Sequence, residues 1–152
     1  IRSPFNAGSI VRTAAAFGVA AVVLSPDCPA NDHPRLLRSA MGSERFVAVE
    51  RGTVDDAVRR QREATGGTEA ASEEGPLVAL ELGGESVWQY GFPPAGVLML
   101  GSEELGLCPH LLERADARVS IPMVGAKASL NVGVACGIAL AFWSSAEARR
   151  AR

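Results

Sequence analysis

Ile121-Pro122-Met123-Val124-Gly125-Ala126-Lys127-Ala128-Ser129-Leu130-Asn131-Val132 joins an apolar strand to a helix. The strand, Arg118 to Ile121, ends at Pro122, and a loop comes next. The helix opens at Ser129 or Asn131, either of which can cap it with a side-chain oxygen. From there to Trp143 the helix is apolar on every face. Such a helix must be buried on all sides, in the domain core or against a second copy of the chain. Taken alone, Ser129 and Asn131 read as caps before they read as groups of a site.

Working back from this segment, strand and helix patterns alternate. Asn6 can cap a helix running to about Phe17, with Ile10, Ala14 and Phe17 on one face and Gly18 at its end. Ala20 to Ser25 is a short apolar run bounded by Pro26 and Asp27, a buried strand. Asp32 followed by Pro34 opens a second helix, which Gly42 closes. Phe46 to Glu50 is a strand, and Thr53-x-x-Asp56 has the form of a capping box for a third helix through about Glu63. Thr65 to Gly75 is poor in apolar residues and rich in Gly, Ser and Glu, and reads as a mobile surface loop inside one domain. Leu77 to Leu82 and Val97 to Leu100 are strands, and Pro109 begins a short helix. Strands alternating with helices of this length predict an α/β domain with a mostly parallel sheet covered by helices on both faces.

Two further segments carry polar groups in apolar surroundings. In Asn6-Ala7-Gly8-Ser9-Ile10-Val11-Arg12-Thr13-Ala14 an asparagine and an arginine sit six positions apart, off any common helix face. Locally Asn6 is a cap and Arg12 a surface or ion-pair residue. In Leu98-Met99-Leu100-Gly101-Ser102-Glu103-Glu104-Leu105-Gly106-Leu107 a buried strand runs into a glycine-bounded turn with two carboxylates. Ligands of open α/β sheets bind beyond the carboxyl ends of strands, so the turn is placed for a site. It matches neither a Walker loop nor G-x-G-x-x-G, which disfavours phosphate binding and a nucleotide-dependent enzyme.

Composition bounds the reading without choosing a function. With 152 residues, 47% hydrophobic and 21% charged, the chain can bury a core, and at 5% aromatic that core must be built mostly of Ala, Val, Leu and Ile. No apolar run reaches the roughly 18 to 20 residues of a membrane span. No secretory leader opens it and no initiator Met is present, so a catalytic domain lacking some N-terminal residues of a longer protein is expected. Cys28, Cys108 and Cys136, without a C-x-x-C pair, point to a reducing, cytoplasmic setting. Cys108 and His110 read as part of a helix start, with no metal site expected. The net charge of −2 hides an asymmetry. Residues 1–62 carry nine Arg and six acids, 63–116 one Arg and ten acids, and 117–152 five bases and one acid. Two basic ends could meet a phosphate backbone, though ordinary solvated faces explain the charge equally well.

The three segments, in this order and spacing, resemble the three motifs of the SpoU family of RNA ribose methyltransferases. The family pattern is N-x-x-x-I-x-R-T-A, then G-x-E-x-x-G-L, then I-P-M-x-G-x-x-x-S-L-N-V. The resemblance runs from Asn6 to the final helix and departs at Ser102, where Asn is frequent, and Gly133, where Ser is common. It implies an α/β fold whose C-terminal segment makes a trefoil knot, a feature that periodicity cannot foresee. It implies an S-adenosylmethionine site at Leu100, Gly101, Ile121, Met123, Ser129 and Leu130. It implies methyl transfer to a ribose 2′-hydroxyl of tRNA or rRNA, with Asn6, Arg12, Glu103, Ser129 and Asn131 as the catalytic set. A guanidinium is an awkward base, so Arg12 is expected to clamp the target phosphate or hydroxyl, with Glu103 and Asn131 orienting it and Asn6 completing the set, from the neighbouring subunit if the site is shared. A homodimer is implied, which the apolar final helix suits, and Arg2, Arg35, Arg38 and Arg149 could hold RNA. The alternative is a non-catalytic RNA-binding protein that kept the fold, which binding of S-adenosylmethionine would discriminate. A hydrolase built on Ser9 or Ser129 fails, since neither lies in G-x-S-x-G.

Overall fold

The computed structural model describes residues 1–66, 75–126 and 129–150, with side chains to residue 146 at the C-terminal end. The loop expected over Thr65 to Gly75 therefore lies mostly outside the described residues. The chain forms two compact units, Ile1–Gly75 and Pro76–Arg152.

In the first unit, helix α1 spans Pro4–Ala16. Its cap is Ser3 and not Asn6: the Ser3 hydroxyl accepts from the Asn6 N–H at 3.3 Å. Pro4 already holds a helical φ and needs no donor partner at the first position, so the helix begins before the asparagine. It ends with Phe17 and with Gly18 at φ 67°. Phe17, expected on the apolar face, lies past the last turn and is exposed. Ala7, Ile10, Val11 and Ala14 are buried. Gly8 lets α1 approach helix α2 (Pro34–Ala40): a Cβ there would overlap the Leu36 carbonyl and come within 2.7 Å of the Ser39 Cβ.

Helix α2 is capped by His33, whose Nδ1 accepts from the Arg35 N–H at 3.1 Å, and closes through Met41 and Gly42, both left-handed. Strand β1 (Ala21–Leu24) pairs in parallel with β2 (Ala48–Arg51), Ala21 opposite Ala48 and Leu24 opposite Arg51. Strand β2 begins later than the Phe46 expected, because Ser43–Arg45 form a 3-10 turn that ends on Phe46. Helix α3 (Val54–Ala64) has the expected capping box, with the Thr53 hydroxyl on the Asp56 N–H and the Asp56 carboxylate on the Thr53 N–H. Arg60 ties α3 to β2 through its ion pair with Glu50.

In the second unit, β3 (Leu77–Ser86) lies between β4 (Val97–Leu100) and β5 (Ala117–Ser120), and both pairings are parallel. Strand β3 runs beyond the Leu82 expected, with a register shift against β5 between Leu80 and Glu85. Gly84 is obligatory in that stretch: a Cβ would meet the Arg118 carbonyl oxygen at 2.5 Å. Helix α4 (Pro109–Arg114) is short, and α5 (Val132–Arg150) is the longest element. The core gathers Val78, Val87, Phe92, Val119 and Trp143. The Trp143 indole donates to the Pro93 carbonyl at 2.8 Å, which satisfies its one polar atom while the ring packs on Phe92.

Two expectations change here, and one choice that the sequence left open is settled. Parallel pairing is present, but it is distributed over a two-stranded and a three-stranded sheet and not one continuous sheet. Helix α5 is buried along one face only, at Gly133, Cys136, Ala139 and Trp143, and Val134 is 54% exposed. Of the two caps expected, Ser129 or Asn131, α5 uses Asn131, whose Oδ1 accepts from the Gly133 and Val134 N–H groups at 2.9 and 3.3 Å. Among the described residues no helix is long and apolar enough to cross a membrane.

The cysteines divide by environment, and thiol chemistry reports on it. Cys136 is buried on α5, and desolvation pushes its thiol up to about 12, while Cys108 is exposed. Because the thiolate is the reacting species, a thiol reagent at pH 8 should modify Cys108 in the native protein and spare Cys136 until denaturant is added. Peptide mass spectrometry would read this, and rapid native labelling of Cys136 would contradict the packing of α5.

Candidate functional site

Strands β3, β4 and β5 run in the same direction, so the segments leaving their carboxyl ends emerge at one edge of the sheet. Around them lies a cavity of about 460 Å³ within the second unit. Leu80, Glu81 and Leu82 come from β3, Leu100 to Gly106 from the end of β4 and the turn after it, and Ser120, Ile121 and Met123 from β5 and its exit. Ser129, Leu130, Val132 and Ala135 close the remaining side. The lining is largely aliphatic, with backbone groups of two loops among it. Its charged side chains, among the described residues, are the carboxylates of Glu81, Glu103 and Glu104.

The turn after β4 is a closed unit. Ser102 and Gly106 exchange N–H···O=C bonds of 2.9 Å in both directions, and the Ser102 hydroxyl accepts from the Leu105 N–H at 3.1 Å. Gly101 is packed against this closure, since a Cβ there would overlap the backbone at Gly106 and Leu107. Gly106 has φ 66°, a conformation that glycine adopts without cost. The two glycines of G-x-E-x-x-G are thus steric requirements of one turn: the first for close approach, the second for handedness.

Leu100, Gly101, Ile121, Met123, Ser129 and Leu130, which the sequence marks for a cofactor, all line this one cavity, and Glu103 lines it with them. Asn131 stands at the head of α5, with its side-chain oxygen on two backbone N–H groups. Asn6 and Arg12 belong to the first unit. Asn6 lies half-buried in the opening turn of α1, and Arg12 is exposed on the same helix with Nη1 2.9 Å from the Met41 sulfur. Met41 holds φ 53°, the one non-glycine residue of positive φ recorded in the described chain. Lys127 lies outside the described residues, as does the Arg149 side chain.

Glu81, Leu82 and Ser120 also line the cavity, and the sequence reading passed over them. The one available signal was Glu81 itself, a lone carboxylate in the apolar run Leu77 to Leu82, with Gly83-Gly84 directly after it. Among the described residues there is no cluster of His, Cys, Asp or Glu able to hold a metal ion.

The model of the SpoU rRNA methylase family matches residues 1–141. The chain belongs to that family. A 23S rRNA (guanosine-2′-O-)-methyltransferase of Neisseria meningitidis is 32% identical over 154 aligned positions, covering 100% of this chain and 56% of that protein. The SpoU methyltransferase AviRb of Streptomyces viridochromogenes, solved with AdoMet, superposes with a TM-score of 0.80 at 28% identity, over 99% of this chain and 58% of AviRb. A second solved protein, whose structure addresses 2-OH methylation of C/U34 on tRNA, gives a TM-score of 0.77 at 27% identity and covers 98% of this chain and 91% of its own. The chain spans about half the length of the curated relatives that it matches.

The SpoU turn provides a direct test of the geometry. Gly101→Ala puts a methyl into the Gly106–Leu107 backbone. It should cost about 1–3 kcal/mol of stability, as overpacking does, read as a lower urea midpoint at unchanged slope. An unaltered midpoint would show that the turn is looser than this packing requires.

Proposed function

We propose that this SpoU protein transfers a methyl group from S-adenosylmethionine to a ribose 2′-hydroxyl of tRNA or rRNA. The observation that carries the reading is the cavity beyond β3, β4 and β5, lined by residues of the second and third motifs together. Its size lies in the range of small-molecule sites. Its character fits the cofactor on two counts. Aliphatic walls with nearby backbone amides and carbonyls suit a purine, and three carboxylates with no cationic side chain among the described lining suit a ligand of net positive charge and not a polyphosphate. AviRb, of the same family, is solved with AdoMet.

When bound, S-adenosylmethionine supplies a methyl group already activated on a sulfonium. The protein then has two tasks, to orient the acceptor and to assist loss of its proton. Leu100, Gly101, Ile121, Met123, Ser129 and Leu130 would hold the cofactor. Arg12 is assigned to the acceptor nucleotide, where a guanidinium binds phosphate or hydroxyl oxygen and stabilises developing negative charge. It acts as a clamp, since a guanidinium stays protonated at neutral pH. Glu103, Ser129 and Asn131 are assigned to orienting the reacting groups, with Asn6 completing the set from a neighbouring subunit. Asn131 has a structural duty besides, because its oxygen starts α5.

The same reading makes the segments around β4 and β5 part of a trefoil knot and the chain one catalytic domain of a longer cytoplasmic protein. It pairs two copies as a homodimer, for which the exposed Val134 on α5 supplies apolar surface. The exposed Arg2, Arg35 and Arg38 would meet RNA phosphates.

Incubation with labelled S-adenosylmethionine and total RNA, with the modified nucleotide then mapped, tests the assignment. Arg12→Ala should lose about 10²-fold or more in rate, the scale of a lost transition-state contact, and keep its affinity for S-adenosylmethionine by calorimetry. Undiminished turnover would remove Arg12 from the mechanism, and methylation of a base in place of a ribose would overturn the acceptor.

A further inference from the structure

We propose that Glu81 is a positioning residue of the cavity: its carboxylate fastens the turn 101–107 to β3, and so fixes the wall that the turn presents. The proposal rests on the methyltransferase reading only for the ligands used as probes.

Glu81 is the single charge in the run Leu77 to Leu82, and it sits half-buried where the strand passes from the core to the surface. Both of its oxygens are engaged by the backbone. Oε2 accepts from the Leu107 N–H at 3.0 Å and Oε1 from the Leu82 N–H at 3.1 Å. The Ser102–Gly106 pair and the Ser102–Leu105 bond are internal to the turn, so they set its shape and not its place. The Glu81–Leu107 bond leaves the turn and reaches a different strand. Leu107 is itself buried, so its N–H, deprived of this oxygen, would have little water to replace it. A carboxylate acceptor makes such a bond stronger than a neutral one would.

Gly106 is the steric counterpart. A Cβ on Gly106 would fall on Glu81 Oε2, so the residue that gives the turn its left-handed corner also leaves room for the clamp. Ser102, Glu103, Glu104 and Leu105 all line the cavity from this turn. Holding Leu107 therefore holds the wall.

The clamp needs an oxygen acceptor within reach of the Leu107 N–H, and charge only strengthens it; two substitutions separate reach from charge. Glu81→Gln keeps the reach and one acceptor oxygen for the Leu107 N–H, but removes the charge and gives up the bond from the Leu82 N–H, because its amide nitrogen only donates. Glu81→Asp keeps the charge and draws the oxygen back by one methylene. Hydrogen–deuterium exchange of the unliganded full chain, read at the Leu107 amide, and calorimetry with S-adenosylmethionine and S-adenosylhomocysteine give two independent readouts. Glu81→Asp should speed Leu107 exchange and weaken both ligands by about 10-fold, the scale of a hydrogen bond to a charged group. Glu81→Gln, left with one neutral acceptor in reach of Leu107, should move both readouts in the same direction but by only about threefold. Unchanged Leu107 protection in Glu81→Asp would overturn the clamp. So would the reverse pattern, in which Asp is tolerated while Gln loses the sulfonium ligand more than its neutral thioether product. That result would assign Glu81 to direct charge contact with the ligand. If the parent protein binds neither ligand, the methyltransferase reading fails while the exchange result still decides the clamp.

Discussion

Parallel pairing of β3 with β4 on one side and β5 on the other sends three segments of chain off the same edge of the sheet. In an antiparallel arrangement neighbouring exits would alternate between edges, and the residues after β4 and β5 could not surround one space. Parallel strands must be joined by long connections, and here those connections carry the polar groups. The cavity is a consequence of strand direction first and of side chains second. The aliphatic pairs Leu77–Val97, Val78–Leu98 and Leu80–Leu100 set the register. A slip by one residue would turn each of them to the other face.

Within that frame the site is built from backbone as much as from side chains. The turn after β4 closes on itself through Ser102 and Gly106, is packed by Gly101, and reaches β3 through Glu81. The head of α5 depends on Asn131 in the same way. Residues that a motif would mark as functional thus carry structural bonds too. Position and chemistry are coupled, and exchanging Asn131 would disturb a helix start together with whatever its amide does toward a ligand. The first unit obeys similar rules with different residues. Gly8, inside the first motif, is there for the contact of α1 with α2, as the overlap of an added Cβ with the Leu36 carbonyl shows.

Much of the element order was legible because periodicity and caps are local. Thr53-x-x-Asp56 predicted its capping box, Val97–Leu100 its strand, and Pro109 its helix start. The failures were places where two local signals competed or where tertiary contact overrode them. Asn6 is a good cap, but Ser3 and Pro4 together make a better start one turn earlier. Strand β3 outran its apolar pattern because its pairing with β5 breaks after Leu80 and resumes at Glu85 and Ser86, past Gly83 and Gly84, where no apolar side chain marks it. Helix α5 looked apolar on all sides, yet burial is decided by what packs against each face, and only one face is covered within this chain.

The sequence by itself determined the alternation of strands and helices, the turn glycines, and membership of the SpoU family, since these depend on residue type at short spacing. It also marked six residues that prove to share a cavity, though they lie in three separated stretches. Only the tertiary structure decided that Glu81 belongs with them and that the second glycine of the turn faces its carboxylate. That contact joins residues 26 positions apart, and no local pattern encodes a bond between a strand side chain and a backbone N–H of another loop. It exists because β3 and β4 are neighbours in register, a fact about pairing that becomes physical only when the sheet has formed.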